Sequence, residues 1–287
     1  MKLIVKTWKN TQKFCLIGYC LINVFAVNGQ TNDIIKTRIE NQNKQNQVKI
    51  SFHPLVLNQI IKYKKRETLP ETMRLAKFYF PLFEAKLKQY GLPEELKYLP
   101  IVESNLRSYA TSKAGAQGLW QFMNGTGKEL GLYETQNINL FNEPIASTDA
   151  ACRYLKSLYQ EFKDWELVLA AYNCGRGRVK RILKKTGKKD YWEIIKHLPK
   201  ETQLYVPSFL AVIYLTNYSS YYELKPSDFV VEYRDVVIKS ASKDLKVSAL
   251  PFKTKKQKII FTFLNPHLKT NHIPKKTYYY TTRSMFE

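Results

Sequence analysis

The spacing of apolar residues between about positions 54 and 224 restricts this chain to a mainly α-helical body. From Val56 to Leu92 the apolar residues recur at helical intervals. Within ETMRLAKFYFPLFEAKLKQYG, Met73, Ala76, Tyr79 or Phe80, Phe83 and Leu87 fall on one side. Pro81 is expected to kink that helix and Gly91 to end it. LPEELKYLPIVESNL starts another helix, with Pro93 in its first turn and Glu94 and Glu95 at the positive end of its dipole. Pro100 should bend that helix one turn before Glu103. STDAACRYLKSLYQEF reads as a helix capped by Ser147 or Thr148. DWELVLAAYNCG is a helix begun by Asp164 and stopped by Gly175, and DYWEIIKHLP and ETQLYVPSFLAVIYLTNYSSYY add two more. After Pro226 the composition turns β-branched and aromatic. DFVVEYRDVVI, QKIIFTFL and TYYYTTR read as strands. The expected fold class is therefore mainly α, with a helical domain over 54–226 and a small β-containing C-terminal appendage over 227–287.

Charge narrows the partners. Lys and Arg number 46 against 24 Asp and Glu, a net charge of +22. Such a chain is attracted to polyanions, and nucleic acid, acidic lipid and anionic cell-wall polymer all qualify. The N-terminus selects among them. Lys2, Lys6, Lys9 and Lys13 precede the 14-residue apolar run FCLIGYCLINVFAV, which breaks into NGQTND. That order is the order of a secretory signal, and the run is short for a span of roughly 20 residues. Cleavage is expected near Gly29, leaving +18 (22 − 4), with a retained anchor as the alternative. Residues 30–53, rich in Asn and Gln, read as a polar linker. Cys152 and Cys174 then remain, in apolar helical contexts that suit two buried thiols. Export, and the lack of a nucleic-acid-binding motif, set nucleic acid aside.

Glu103 is the residue that asks for chemistry. It sits in LPIVESNL among Leu99, Ile101, Val102 and Leu106. Burying a carboxylate costs several kcal/mol unless it is paired or protonated, and desolvation favours its acid form. A carboxylic acid kept protonated suits a general acid acting on a glycosidic oxygen. Five of the 11 glycines lie in AGAQGLWQFMNGTGKELG. With Trp120, Gln121, Phe122 and Met123 they suit either a cleft wall for a sugar chain or a compact loop with Trp120 in the core. NGTGKE fails as a phosphate loop, because Phe122 and Glu129 stand where glycine and Ser/Thr are required. The four histidines form no metal-ligand pattern, and no G-x-S-x-G flanks a serine. Glycosidases usually pair two carboxyl groups about 5–9 Å apart. Beyond Glu129 no second acid stands in the glycine-rich segment or in AAYNCG, which leaves a single-carboxylate mechanism to be weighed.

PIVES, SKAGAQGLWQFM, AAYNCG and ETQLYVP, in this order over roughly residues 85–220, resemble the soluble-type lytic transglycosylases, especially their membrane-bound D subgroup. The resemblance implies a lysozyme-like helical catalytic domain. It implies cleavage of the β-1,4 bond between N-acetylmuramic acid and N-acetylglucosamine in peptidoglycan, to a 1,6-anhydro end, with no metal or other cofactor. It makes Glu103 the sole acid and base. Ser112, Gln121 and Met123 would line the substrate cleft, Tyr172 would bind near the scissile bond and Asn173 would hold the local structure. Glu201 and Tyr205 would line the cleft further on. FLNPHLKTNHIP faintly resembles a degenerate LysM glycan-binding module, so the appendage is expected to be LysM-like. Expected partners are peptidoglycan strands and an anionic envelope surface, met by a monomer in the periplasm or exported, possible membrane attachment included. Two alternatives stand beside this reading: a hydrolytic muramidase or chitinase using Glu129 or Glu201 as second carboxylate, and a non-catalytic peptidoglycan-binding envelope protein.

Overall fold

A computed structural model describes residues 32–222 and 231–285. The expected signal and the expected boundary near 226 lie outside the described residues. Two compact units divide the chain, Met1–Phe52 and His53–Glu287. In the first, the segment expected to be a linker holds a helix, α1 (32–43). Asn43 ends it with a two-way clip: its amide donates to the Ile50 carbonyl at 2.9 Å and its oxygen accepts from the Ile50 N–H at 2.7 Å. The side chain thus satisfies both backbone groups of Ile50, which lies outside any helix or strand. Isoleucines 35 and 39, one turn apart, are the helical signal within that polar stretch.

The second unit opens with α2 (Pro54–Lys64) and α3 (Leu69–Tyr90), so the helical pattern from Val56 to Leu92 is two helices. His53 caps α2 by accepting from the Leu55 N–H. α3 buries Met73, Ala76, Tyr79, Phe83 and Leu87 and ends at Gly91, whose φ of 66° suits glycine. Pro81 lies inside α3 on its exposed side. Next come a 3₁₀ turn (Glu94–Tyr98) and α4 (Leu99–Ser104), where one bent helix is expected. Pro100 sits in the first turn of α4, where its missing N–H is no loss.

α5 (Asn124–Glu129) follows the glycine-rich loop, and α6 (Pro144–Phe162) follows α5. The cap of α6 is Glu143 and not Ser147 or Thr148. The Glu143 carboxylate accepts from the backbone N–H groups of Ile145 and Ala146. Ser147 and Thr148 lie one turn in and bond back to the carbonyls of Glu143 and Pro144. Cap and first-turn hydroxyls look alike in sequence, and Pro144 decides between them by starting the helix. α7 (Trp165–Cys174) begins at Asp164, which accepts from the Leu167 N–H, and stops at Gly175 with φ 89°. The basic α8 (Arg176–Thr186), which the apolar pattern does not reveal, follows directly, then the short α9 (Tyr191–Ile194) and α10 (Lys200–Asn217). α10 buries a nearly unbroken run from Tyr205 to Leu215 and touches α2, α4 and α7, which makes it the spine of the body.

In the appendage, β1 (Val236–Ser240) and β4 (Tyr278–Thr282) pair antiparallel with Ile238 opposite Tyr280, and β2 (Leu245–Lys246) pairs with β3 (His272–Ile273). QKIIFTFL is no strand. It lies in α11 (Lys255–Leu264), started by a capping box in which Thr254 and Gln257 satisfy each other's backbone N–H. Phe261 and Leu264, three residues apart, turn inward. Between β1 and β4 the helical elements are one α-helix and a 3₁₀ turn (Val247–Ala249), where a LysM-like order calls for two helices.

The appendage is bonded to the helical body along the loop before α6. Asn139 N–H donates to the His267 carbonyl (2.9 Å) and Lys269 N–H to that of Asn137 (2.9 Å). Tyr280 OH donates to the buried Glu143 carboxylate at 2.7 Å.

Candidate active site

Glu103 reaches its position through a short helix with an abrupt end. α4 stops at Asn105 and Leu106, both left-handed at φ 50° and 61°. That conformation is costly for a leucine. Burial of Leu106 offsets it. Ser104 pins the turn from inside, its hydroxyl bonded to the carbonyls of Pro100 and Leu119. The Glu103 carboxyl therefore faces a cleft of about 550 Å³ rather than the core.

The opposite wall is the glycine-rich loop, and it resolves the two readings of Trp120. The indole is fully buried and donates to Thr148 Oγ1 at 2.9 Å, with Phe83 edge-on against it. The neighbours Gln121, Phe122 and Met123 face the cleft. Gly118 makes this possible. Its φ is 77°, and a Cβ there would stand 2.0 Å from the Phe141 carbonyl oxygen. Gln121, left-handed at φ 49°, holds its strained turn by donating its amide to the carbonyls of Ala110 (3.1 Å) and Gly118 (2.9 Å). Gln117 pairs with Phe122 along the backbone, and its side chain accepts from Asn139 at 2.6 Å.

All eight candidates, Glu103, Ser112, Gln121, Met123, Tyr172, Asn173, Glu201 and Tyr205, line this one cleft. Tyr205, from α10, donates its hydroxyl to Glu103 Oε1. Tyr172, from α7, spends its hydroxyl on the Trp120 carbonyl at 2.7 Å, so it braces the loop and offers its ring. Asn173 accepts from Thr202 Oγ1 at 2.7 Å and donates to Glu201 Oε1 at 3.4 Å, tying α7 to the start of α10. Ser112 Oγ accepts from the Ala116 N–H at 3.0 Å and keeps its proton to give away. Met123 is half exposed at the rim. Glu129 does not line the cleft.

Sequence reasoning misses Tyr154, Leu204 and Ser208, which also line it. Leu204 and Ser208 were legible: with Glu201 and Tyr205 they repeat at three and four residues, one face of α10. Tyr154 carries no such signal. It completes an aromatic cluster with Phe122 and Tyr172, centroids 5.6–6.2 Å apart.

The electrostatics follow from this packing. Burial pushes the Glu103 carboxyl up to about 8; the Glu201 charge adds to the rise and the Tyr205 hydrogen bond opposes it. Burial, and then the Glu103 charge, drive the hydroxyls of Tyr172 and Tyr205 well above their ordinary value. At neutral pH the cleft thus presents a neutral carboxylic acid among neutral phenols. Among the described residues no group of His, Cys, Asp and Glu is arranged to hold a metal ion.

A helical body that sets one protonated carboxyl in an aromatic-lined cleft has the chemistry of a general acid beside a binding groove. Residues 80–195 match the family described as Transglycosylase SLT domain. Membrane-bound lytic murein transglycosylase D of Escherichia coli K12 is 41% identical over 139 residues, which are 47% of this chain and 30% of that one. The chain thus spans under a third of that relative's length. Among solved structures, the 70 kDa soluble lytic transglycosylase of Escherichia coli is 26% identical, with a TM-score of 0.43 over 52% of this chain and 26% of that one. The complex of the 70-kDa soluble lytic transglycosylase with bulgecin A gives 27% and 0.45, over 53% of this chain and 26% of that one.

Proposed function

We propose that this protein is a peptidoglycan lytic transglycosylase, cleaving the β-1,4 bond between N-acetylmuramic acid and N-acetylglucosamine without water. The observation that carries the reading is the Glu103 carboxyl, held protonated to about pH 8 in the cleft and bonded to Tyr205. Glu103 gives its proton to the bridging oxygen as the bond breaks. The substrate acetamido group steadies the developing charge at C1. Glu103, now a carboxylate, takes the proton of the muramoyl C6 hydroxyl, whose oxygen closes on C1. Acid and base are the same group, so the cycle ends with Glu103 protonated again. The Tyr205 hydrogen bond stabilises the ionised form that exists between the two steps, and fixes the rotamer of the carboxyl. Ser112, Gln121 and Met123 on one wall and Tyr172, Asn173 and Glu201 on the other position the strand.

Mass analysis of products from purified sacculi tests this. Anhydro ends, one water lighter than reducing ends, are expected from the wild type and absent from Glu103→Gln. Reducing ends would instead favour the hydrolytic reading, for which Glu201, present in the same cleft, is the available second carboxylate. Sacculus binding with no soluble product from the wild type would favour the non-catalytic reading.

The N-terminal pattern and the name of the Escherichia coli relative support a place in the cell envelope, periplasmic or exported, and an N-terminus left uncleaved would add membrane attachment. No described helix is long and apolar enough to cross a membrane. The appendage over 227–287, with its strand-bounded single helix, belongs to this reading as a support of the helical domain. The net charge of +22 favours anionic glycan and envelope surfaces as partners.

A further inference from the structure

Residues 176–189 hold eight Lys and Arg side chains and no acid. α8 occupies most of this stretch, and Val179 is its one buried residue. Ile182 and Leu183 are half-buried, so no apolar side chain of the helix is exposed. The outer face is cationic without being amphipathic, which argues against insertion into a bilayer surface, where exposed apolar residues are needed. Two of the cations on α8 are ion-paired: Arg176 and Lys180 share Glu161, at 3.8 and 2.7 Å. Arg178, Arg181, Lys184 and Lys185 are exposed and make no ion pair among the described residues. Like charges at these helical spacings repel one another, so the face gains by meeting anions.

Its location says which anions. α8 begins three residues after Asn173, and the Arg176 guanidinium lies over the ring of Tyr154, 5.4 Å from its centroid. Both Asn173 and Tyr154 line the cleft. From that rim the helix runs on for roughly 16 Å, at 1.5 Å per residue. A glycan strand in the cleft would carry its peptide branches outward past the rim, and those branches end in carboxylates. Arg178 and Arg181 offer planar forks that match a carboxylate.

We propose that α8 binds the carboxylates of the peptides borne by the glycan strand, through Arg178, Arg181, Lys184 and Lys185. This makes α8 a specificity surface beside the bond-breaking site. The proposal rests on the peptidoglycan reading of the cleft.

The test measures binding without cleavage. Glu103→Gln protein is co-sedimented with intact sacculi and with sacculi whose carboxyl groups have been converted to neutral amides with a carbodiimide and glycinamide. Binding to intact sacculi should be about tenfold tighter, and the gap should close as salt is raised. Adding R178Q, R181Q, K184Q and K185Q should remove the gap while leaving the melting temperature close to that of the parent. R178K with R181K, which keeps the charge, should retain most of it. Equal binding of the two sacculus preparations, no binding to either, or a gap that survives the four substitutions overturns the proposal. So does a variant that loses only binding to phosphatidylglycerol vesicles. Failure of the cleavage reading is seen separately, as absence of anhydro product from the wild type on the same sacculi.

Discussion

Glu103 has an ordinary value of 4.5 and in this cleft about 8. Between those values the unfolded chain releases a proton that the folded chain keeps, so stability falls as pH rises across that window. Glu103→Gln removes the effect. It should be more stable than the wild type at pH 8, on the order of 2 kcal/mol once residual solvent access is allowed for, and no more stable near pH 4. Calorimetry at the two pH values checks this, and a less stable variant at pH 8 contradicts it. Catalysis carries the same sign: turnover should decline as pH rises through about 8, as the acid is lost. Tyr205→Phe removes a bond that holds the carboxyl down, so its high-pH limb should move upward while turnover drops about tenfold or more. At Gly118, alanine has no room and the wrong φ. Gly118→Ala should cost about 3 kcal/mol or more in a denaturant titration.

Among the elements, what was legible depended on how each one stabilises itself. Asp164 and Gly175 bound α7 in sequence as in space, because a side-chain cap and a left-handed glycine are local devices. α11 shows the opposite case. Its β-branched and aromatic residues speak for a strand, and the local signal that overrules them is the capping box Thr254-x-x-Gln257. α8 offers an apolar row of Val179, Ile182 and Leu183 among six cations, too thin to show a period. The grouping of residues in the cleft was more legible than the fold around it. All eight candidates meet in the cleft, yet the work of Tyr172 lies in a bond to the Trp120 carbonyl, which no spacing encodes. The bond from Trp120 to Thr148 likewise joins α6 to the cleft loop. Thr148→Val keeps the shape and leaves a buried indole N–H without an acceptor. It should cost about 1–3 kcal/mol, read as a lower denaturant midpoint at unchanged slope.

Across the whole molecule, the appendage and the helical body share buried polar groups. His267 is buried at their junction, with Nε2 against the Tyr278 carbonyl at 3.0 Å and Nδ1 without a partner. Burial lowers its pKa, against the pull of the Glu143 charge. A histidine kept neutral by folding gives stability that is complete above its ordinary value of 6.5 and is lost as pH falls below it. Between pH 7 and pH 5 this contribution runs opposite to that of Glu103, so the difference between proteins isolates it: on going from pH 7 to pH 5, His267→Gln should lose less stability, or gain more, than the wild type. An unchanged acid sensitivity in the variant would assign it to other groups.

Asn139 faces both ways across that junction. Its backbone N–H meets the appendage at His267, and its side chain holds Gln117 at the base of the cleft loop. Trimming the chain to residues 80–195 would therefore loosen the wall on which Gln121 and Met123 stand, and the last sixty or so residues would bear on the cleft from a distance, much as a keystone's neighbours keep an arch open.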